Sequence, residues 1–422
     1  MRYGLIGEPL AHSYSKEIHE SLGKYEYDLF SLSADEMPEF VAGRNFGGLN
    51  VTIPYKQDVI PFCDEVSDLV REIGAANTLY WSRENAGSRK LIGHNTDYEG
   101  FLYAADRADI DFAHKNVLVL GSGGTSLMVQ KAAGDMGAGR VLIASRRGQE
   151  RCISYKDLPD IAEAIDIIVN TTPVGTFPDT MAKIISLKDF PNCSGVIDVI
   201  YNPFKTALLL EAEELGLKLS NGLPMLVAQA TAAAGYFLGT AGAFIRENER
   251  IIRKLEGQMQ NVVFIGMPGS GKTTIGRLLA EKTGKAFVDM DEEIIKAAGM
   301  TISEIFAKEG EEGFRARETK TATELGKQRS LIIATGGGVV LRRENLEALK
   351  QNGLIIYIRR PIESLATGGR PLYAGLSALK EMGKKRLPLY ESAADITFDN
   401  LESLSRDELK GLIAKKTQEK LL

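Results

Sequence analysis

The segment Gly266-Met267-Pro268-Gly269-Ser270-Gly271-Lys272-Thr273 has the residue types and spacing of a phosphate-binding loop. It follows the apolar run Val262 to Ile265 and leads into Thr274 to Leu279, which reads as a helix start. Glycines let the backbone turn so that its N–H groups converge on phosphate oxygens at a helix N-terminus. Lys272 supplies a cation for the outer phosphates, and the Thr273 hydroxyl suits Mg²⁺. Gly266, Gly269, Ser270, Gly271, Lys272, Thr273 and Thr274 are therefore the expected ATP-binding residues.

A second glycine turn, Gly121-Ser122-Gly123-Gly124, follows the buried run Val117 to Leu120 and opens a helical pattern. This is a strand–turn–helix unit of the dinucleotide type, although the third fingerprint position is Ser126 and not glycine. The end of the next strand selects the cofactor. An acidic residue there would hold the ribose hydroxyls of NAD, but this chain has Ser145-Arg146-Arg147. Two guanidinium groups and a hydroxyl suit a 2′-phosphate, so NADP is favoured.

The elements that must carry these turns follow from the hydrophobic pattern. Arg2 to Gly7, Tyr27 to Leu32 and Gly48 to Ile53 read as strands with helices between them. A hairpin is expected from Asn77 to Ser82 and Lys90 to Ile92, turning at Glu84-Asn85-Ala86-Gly87. Asp166 to Asn170 and Gly195 to Val199 add buried strands whose ends border a ligand crevice, and Leu223 to Leu255 reads as one or two helices. Gly257-Gln258-Met259-Gln260 reads as a short linker. Beyond the phosphate loop, Asp289 and Asp291 are expected on one face of a strand end, by the two-residue period. Three consecutive glycines, Gly336-Gly337-Gly338, invite close backbone approach to a ligand. The stretch Ala366 to Gly375, with Arg370, reads as a lid over phosphates.

Bulk properties narrow the class. A chain of 422 residues, 44% hydrophobic, has room for two or three domains. Its net charge of −5 is spread along the chain and no basic arm is present, which argues against a nucleic-acid partner. Cys63, Cys152 and Cys193 are far apart and read as free thiols, and the four histidines show no metal-ligand spacing. Leu226 to Ile245 is apolar but rich in Ala and Gly and interrupted by polar residues, so it reads as a buried helix and not a membrane span. No signal-peptide pattern precedes Tyr3-Gly4-Leu5-Ile6-Gly7, so a cytoplasmic location is expected.

Motifs in matching order make the chain resemble two families. Residues 1 to about 256 resemble shikimate dehydrogenases through Gly7 to Ser15, Asn50 to Lys56, Gly74 to Thr78, Asn95-Thr96-Asp97 and Met225 to Gln229. Residues 261 to 422 resemble shikimate kinases through the phosphate loop, Asp289-Met290-Asp291, Phe314-Arg315, the triple glycine, Arg370-Pro371-Leu372 and Arg386 to Tyr390.

The resemblance implies an α/β substrate domain over 1–100, with 230–256 returning to it, and a Rossmann-like NADP domain over 101–229. A P-loop domain of the nucleoside-monophosphate-kinase type over 261–422 would follow. It further implies that Lys56 and Asp97 are the catalytic pair of a reductase. Ser13, Ser15, Thr52, Asn77, Thr96, Tyr201 and Gln229 would hold its substrate. Gly121, Gly123, Gly124, Ser145, Arg146, Arg147, Thr171 and Gly222 would hold NADP. In the kinase, Asp291 and Arg370 would be catalytic, and Asp289 would act on Mg²⁺ with Thr273. Arg315, Arg386, Gly336, Gly337 and Gly338 would join Asp291 around shikimate.

The implied enzyme is bifunctional, reducing 3-dehydroshikimate with NADPH and phosphorylating the shikimate formed with ATP. Two alternatives keep the folds: quinate specificity in the dehydrogenase half, or a non-catalytic shikimate sensor. The partners are small molecules, with no nucleic acid and no membrane, and the oligomeric state is open. Two departures from the family pattern stand out: Ser15-Lys16 with His19-Glu20 in the first helix, and Ser145-Arg146-Arg147 in the cofactor loop.

Overall fold

The computed structural model describes residues 2–10, 13–83, 89–146, 152–365, 376–400, 408, 411–415 and 417. Arg147, the segment Glu84 to Gly87 expected as a turn and the segment with Arg370 expected as a lid lie outside the described residues. The chain divides into two compact units: 1–174 with 183–201 and 211–252, and 253–422 with 175–182 and 202–210.

The first unit contains two sheets. One is built from β1 (Arg2–Gly7), β2 (Tyr27–Ser31), β3 (Phe46–Val51), β4 (Glu65–Val66), β5 (Thr78–Trp81) and β6 (Leu91–His94). Its order is β2-β1-β3-β5-β6-β4. β1 pairs in parallel with β2 and β3, and the expected β5–β6 hairpin is joined antiparallel to β3. The other sheet is wholly parallel: β7 (Asn116–Leu120), β8 (Arg140–Ser145), β9 (Ile153–Ser154), β10 (Ile167–Asn170), β11 (Gly195–Asp198) and β12 (Lys218–Ser220). Its order β12-β11-β10-β7-β8-β9 reverses direction between β7 and β10. A ligand crevice opens at such a switch point, outside the carboxyl ends of the strands.

Residues that are apolar along whole strands drive this arrangement. Val117, Leu118, Val119, Ile167, Ile168 and Val169 are buried on both faces, as a parallel sheet covered by helices requires. Each such side chain contributes about 1.5–3 kcal/mol on burial. Helix Gly222–Phe237 is buried as expected over Leu226–Phe237, but it ends there, and the rest of the expected helix, up to Ile245, is a mostly exposed turn. The helix spans the 229/230 boundary and packs along helix Asp97–Arg107. Among the described residues no helix is long and apolar enough to cross a membrane.

The second unit is built on a five-stranded parallel sheet: β13 (Asn261–Ile265), β14 (Ala286–Asp289), β15 (Leu331–Ala334), β16 (Gly353–Arg359) and β17 (Ile396–Asp399). Its order is β14-β15-β13-β16-β17, with the phosphate loop leaving central β13. The segments 175–182 and 202–210 are tied to Gln351 and Asn352 ahead of β16. Thr180 Oγ1 donates to Gln351 Oε1 at 2.7 Å, and Gln351 Nε2 donates to the Thr180 carbonyl at 2.6 Å. The Lys205 N–H donates to the Gln351 carbonyl at 2.7 Å, and the Phe204 N–H to Asn352 Oδ1 at 2.8 Å.

Two expectations change. The segment read as a linker is helical, because helix Asn248–Met259 runs through Gly257 and ends one residue before the Gln260–Asn261 entry into β13. Asp289 and Asp291 do not share a strand face. Asp289 ends β14 and caps helix Met290–Ala298, its Oδ1 accepting from the Asp291 N–H at 3.0 Å, so Asp291 lies in the first helical turn. Side-chain capping by aspartate outcompetes continuation of the strand.

Candidate active sites

In the first unit a cavity of about 380 Å³ is lined by Ser13, Ser15, Thr52, Lys56, Asn77, Asp97, Tyr201, Gly222 and Gln229, all singled out from the sequence. Asn50, Thr125 and Met225 also line it and were not among the expected site residues. Thr125 lies in the first turn of the helix after the glycine turn, a position the turn itself could have flagged.

Lys56 follows β3, and Asp97 is the first residue of helix Asp97–Arg107. Their side chains meet, Lys56 Nζ to Asp97 Oδ2 at 2.5 Å. The Lys56 carbonyl accepts from the Ala76 N–H at 2.8 Å, and the Asp97 N–H donates to Asn95 Oδ1 at 3.1 Å, so both ends of the pair are tied to the segments that flank β5 and β6. Gln229 is brought near Asp97 by a close helix crossing. A Cβ at Gly100 would stand 2.6 Å from the Met225 carbonyl oxygen and 3.0 Å from Gln229 Cβ.

Thr96 does not line the cavity. It is buried, with its N–H donating to Asn77 Oδ1 at 2.7 Å and its hydroxyl 2.9 Å from Thr78 Oγ1. It therefore orients Asn77. Asn50 is held by the Tyr27 hydroxyl at 2.8 Å and in turn donates to Thr78 Oγ1 at 3.2 Å. Ser15 starts helix Ser15–Glu20 despite the departure beside it, and its N–H reaches Ser13 Oγ at 3.2 Å.

At the switch point, Gly121 has φ +105, and a Cβ there would stand 2.9 Å from Thr171 Oγ1. Gly123 and Gly124 have open space where a side chain would be, at the N-terminus of helix Gly124–Asp135. Such a bare, N–H-rich turn fits a pyrophosphate. Thr171 Oγ1 donates to the Leu120 carbonyl at 2.7 Å, pinning the two strand ends that flank the turn. Ser145 is buried at the end of β8 and Arg146 is exposed beyond it. Gly222 lies between the two expected sets: it lines the substrate cavity, and a Cβ would run into the Val199 carbonyl.

In the second unit the phosphate loop has φ +146 at Gly266, +81 at Gly269 and +100 at Gly271. Lys272 Nζ donates to the Gly266 and Met267 carbonyls at 2.8 and 3.0 Å. Ser270 is buried and Thr274 lies in helix Lys272–Thr283. Thr273 Oγ1 donates to Asp289 Oδ2 at 2.9 Å, which places a hydroxyl and a carboxylate oxygen together, the donor types that Mg²⁺ takes. Among the described residues no group of three or more His, Cys, Asp or Glu could hold a metal ion, so other ligands would be water and phosphate.

The triple glycine runs through the middle of this site. A Cβ at Gly336 would stand 2.9 Å from Asp291 Oδ1, and at Gly337 2.7 Å from Pro268 Cδ of the phosphate loop. A Cβ at Gly338 would collide with the Arg315 guanidinium. Arg386 Nη1 donates to the Gly337 carbonyl at 2.9 Å. Asp291, Arg315, Arg386 and the phosphate loop therefore converge on one glycine strip. Glu318 belongs with them but escaped the sequence reading. It is buried, receives Arg315 Nη1 at 2.7 Å, and burial pushes its carboxyl above the usual range, the Asp291 charge adding to the effect. Its place three residues after Arg315 on one helix was the available signal.

The first unit thus has the build of a dinucleotide-dependent dehydrogenase with a polar substrate cavity, and the second that of a phosphate-loop kinase. Residues 5–79 match the model of the shikimate dehydrogenase substrate binding domain, and residues 268–417 that of shikimate kinase. The shikimate dehydrogenase (NADP(+)) of Caldicellulosiruptor bescii is 40% identical over 254 residues, 54% of this chain and 86% of that protein.

Among solved structures, a chorismate mutase/shikimate 5-dehydrogenase fusion protein from Clostridium acetobutylicum is 35% identical. It matches at TM-score 0.55 over 60% of this chain and 96% of its own. The shikimate 5-dehydrogenase of Thermus thermophilus, solved with NADP(H) and shikimate, is 31% identical at TM-score 0.53, covering 60% and 99%. Through its first unit the chain belongs to the shikimate dehydrogenase family, and it carries a shikimate kinase domain behind it.

Proposed function

We propose that this enzyme carries out two consecutive shikimate-pathway reactions, toward aromatic amino acids. The first unit reduces 3-dehydroshikimate to shikimate, and the second phosphorylates the shikimate 3-hydroxyl. The observation that carries the first reaction is the Lys56–Asp97 pair inside a cavity of hydroxyl and amide side chains. Bound NADPH supplies the hydride. As the ring ketone becomes an alkoxide, Lys56 gives it a proton, and Asp97 holds the ammonium in place. Ser13, Ser15, Asn77 and Gln229 match the hydroxyls and carboxylate of a small polar ring. Arg146 and Arg147 take the 2′-phosphate, which gives NADPH its advantage over NADH.

In the second unit Asp291 receives the proton of the attacking hydroxyl, and Arg315 and Arg386 clamp the carboxylate by guanidinium pairing. Lys272 would leave the loop carbonyls for the phosphates, Thr273 with Asp289 would hold Mg²⁺, and Arg370, which lies outside the described residues, is assigned to the transferring group. Mg²⁺ neutralises charge on the phosphates.

The test is incubation with 3-dehydroshikimate, NADPH and ATP–Mg²⁺ together. The expected outcome is equimolar oxidation of NADPH and release of ADP, with shikimate 3-phosphate identified by mass. Consumption of neither cofactor overturns the reading. Turnover of quinate at a rate comparable with shikimate in the reverse direction replaces its substrate.

A further inference from the structure

The last described strand of the second unit is followed by a residue that reaches back to the phosphate loop. Asn400 follows β17, and its N–H donates to the Arg359 carbonyl at 2.9 Å, extending the ladder by one step. Its side chain is buried, and Nδ2 donates to the Ser270 carbonyl at 2.7 Å across 130 residues of chain. Only the Nδ2 end of the amide can donate to a carbonyl, so this bond fixes the orientation of the side chain. A Cβ at Gly271 would stand 2.6 Å from the same nitrogen, so the loop presses directly on the amide.

Peptide geometry gives this contact a consequence. The Ser270–Gly271 bond is a rigid plane in which the C=O and N–H point in opposite directions. Holding the Ser270 oxygen against Asn400 therefore turns the Gly271 N–H away from β17, toward the inside of the loop. N–H groups turned inward are what a phosphate-binding loop offers its anion. Gly271 sits at φ +100, where glycine has alternative conformations of similar energy, so the loop needs an external hold to keep this one.

We infer that Asn400 is a positioning residue for the ATP phosphates, acting through the Ser270–Gly271 peptide. The inference rests on the kinase reading of this unit and adds to it a residue outside every motif that carried that reading.

The test compares Asn400→Asp and Asn400→Ala with the parent in the full chain. Aspartate has nearly the same shape but turns an acceptor toward the Ser270 carbonyl, so that peptide is repelled. The KM for ATP and the equilibrium Kd for ATP–Mg²⁺ should rise tenfold or more in Asn400→Asp and less in Asn400→Ala. The KM for shikimate should stay within twofold. A merely structural role would move both KM values together, or lower thermal stability in both variants without separating the two substrates. That result overturns the inference, as does an ATP Kd within twofold of the parent in Asn400→Asp. A parent that binds ATP–Mg²⁺ but does not phosphorylate shikimate overturns the kinase reading instead, and the binding measurement still decides the role of Asn400.

Discussion

Lys56 Nζ and Asp97 Oδ2 stand 2.5 Å apart inside the substrate cavity, although 41 residues separate them in the chain. Both are partly shielded from water, with side-chain exposures of 26% and 15%. The ammonium is therefore held at one place by a carboxylate fixed at the start of helix Asp97–Arg107. Lys56→Ala should lower reductase kcat by about 10²–10⁴-fold, the usual worth of one acid–base group. Kinase turnover, measured in the same preparation with shikimate and ATP, should be unchanged. Reductase turnover equal to the parent's would remove Lys56 from the mechanism.

Asp291→Asn tests the second site. The amide keeps the shape of the carboxylate but cannot take the hydroxyl proton, so kinase kcat should fall by about 10²–10⁴-fold. The link from Asp289 reaches the backbone N–H of residue 291 and not its side chain, so the helix cap survives the exchange. Equilibrium binding of ATP–Mg²⁺ should match the parent within a few fold. Collapse of nucleotide binding along with activity would make Asp291 part of the nucleotide site.

What the sequence reveals here is what chemistry concentrates locally. The phosphate loop, the glycine turn after β7 and the triple glycine are legible because ligand contact dictates residue types at fixed short spacings. Asp289 and Asp291 were misplaced because a strand period was carried through a helix cap, a switch that three residues cannot announce. The helix through Gly257 was missed on composition. Its buried residues Ile251, Ile252, Leu255 and Met259 recur with helical spacing, and that signal was present. Thr180 with Gln351 and Asn400 with Ser270 had no signal at all. Side-chain amides paired across 171 and 130 residues follow no period.

The pH dependence of stability should carry the mark of His19. The ring is fully buried, stacked on Tyr27 at 4.0 Å and within 2.7 Å of the Tyr25 hydroxyl. Burial pulls its pKa down to about 3. An unfolded chain takes up this proton near pH 6.5, whereas the folded one does so only near pH 3. Stability is therefore unaffected by His19 above about pH 6.5. Below that it falls as the pH drops toward 3, by at most about 1.4 kcal/mol per unit. Urea midpoints at several pH values between 7 and 5 should show this slope in the parent and a flatter one in His19→Phe. Equal slopes would mean that His19 is protonated in the fold.

The sequence reads Gly257–Gln260 as a linker, and the second unit argues for a different cut. It includes 175–182 and 202–210, whose Thr180, Phe204 and Lys205 bond to Gln351 and Asn352, both buried. A fragment 258–422 loses those four hydrogen bonds, counting both between Thr180 and Gln351, and loses buried Leu255 with most of helix Asn248–Met259. Water takes the place of the lost partners, so each bond costs its net worth of about 0.5–1.5 kcal/mol and not the full price of burial. Together these amount to about 2–6 kcal/mol, a large share of the stability of an ordinary domain. The fragment should still bind ATP, because no phosphate-loop contact is removed. Its urea midpoint should lie well below that of kinase activity in the full chain. Circular dichroism is the suitable probe, since the single tryptophan, Trp81, is outside the fragment. A fragment as stable as the parent would show that 175–182 and 202–210 contribute nothing to the second unit, and a cut at the linker would stand.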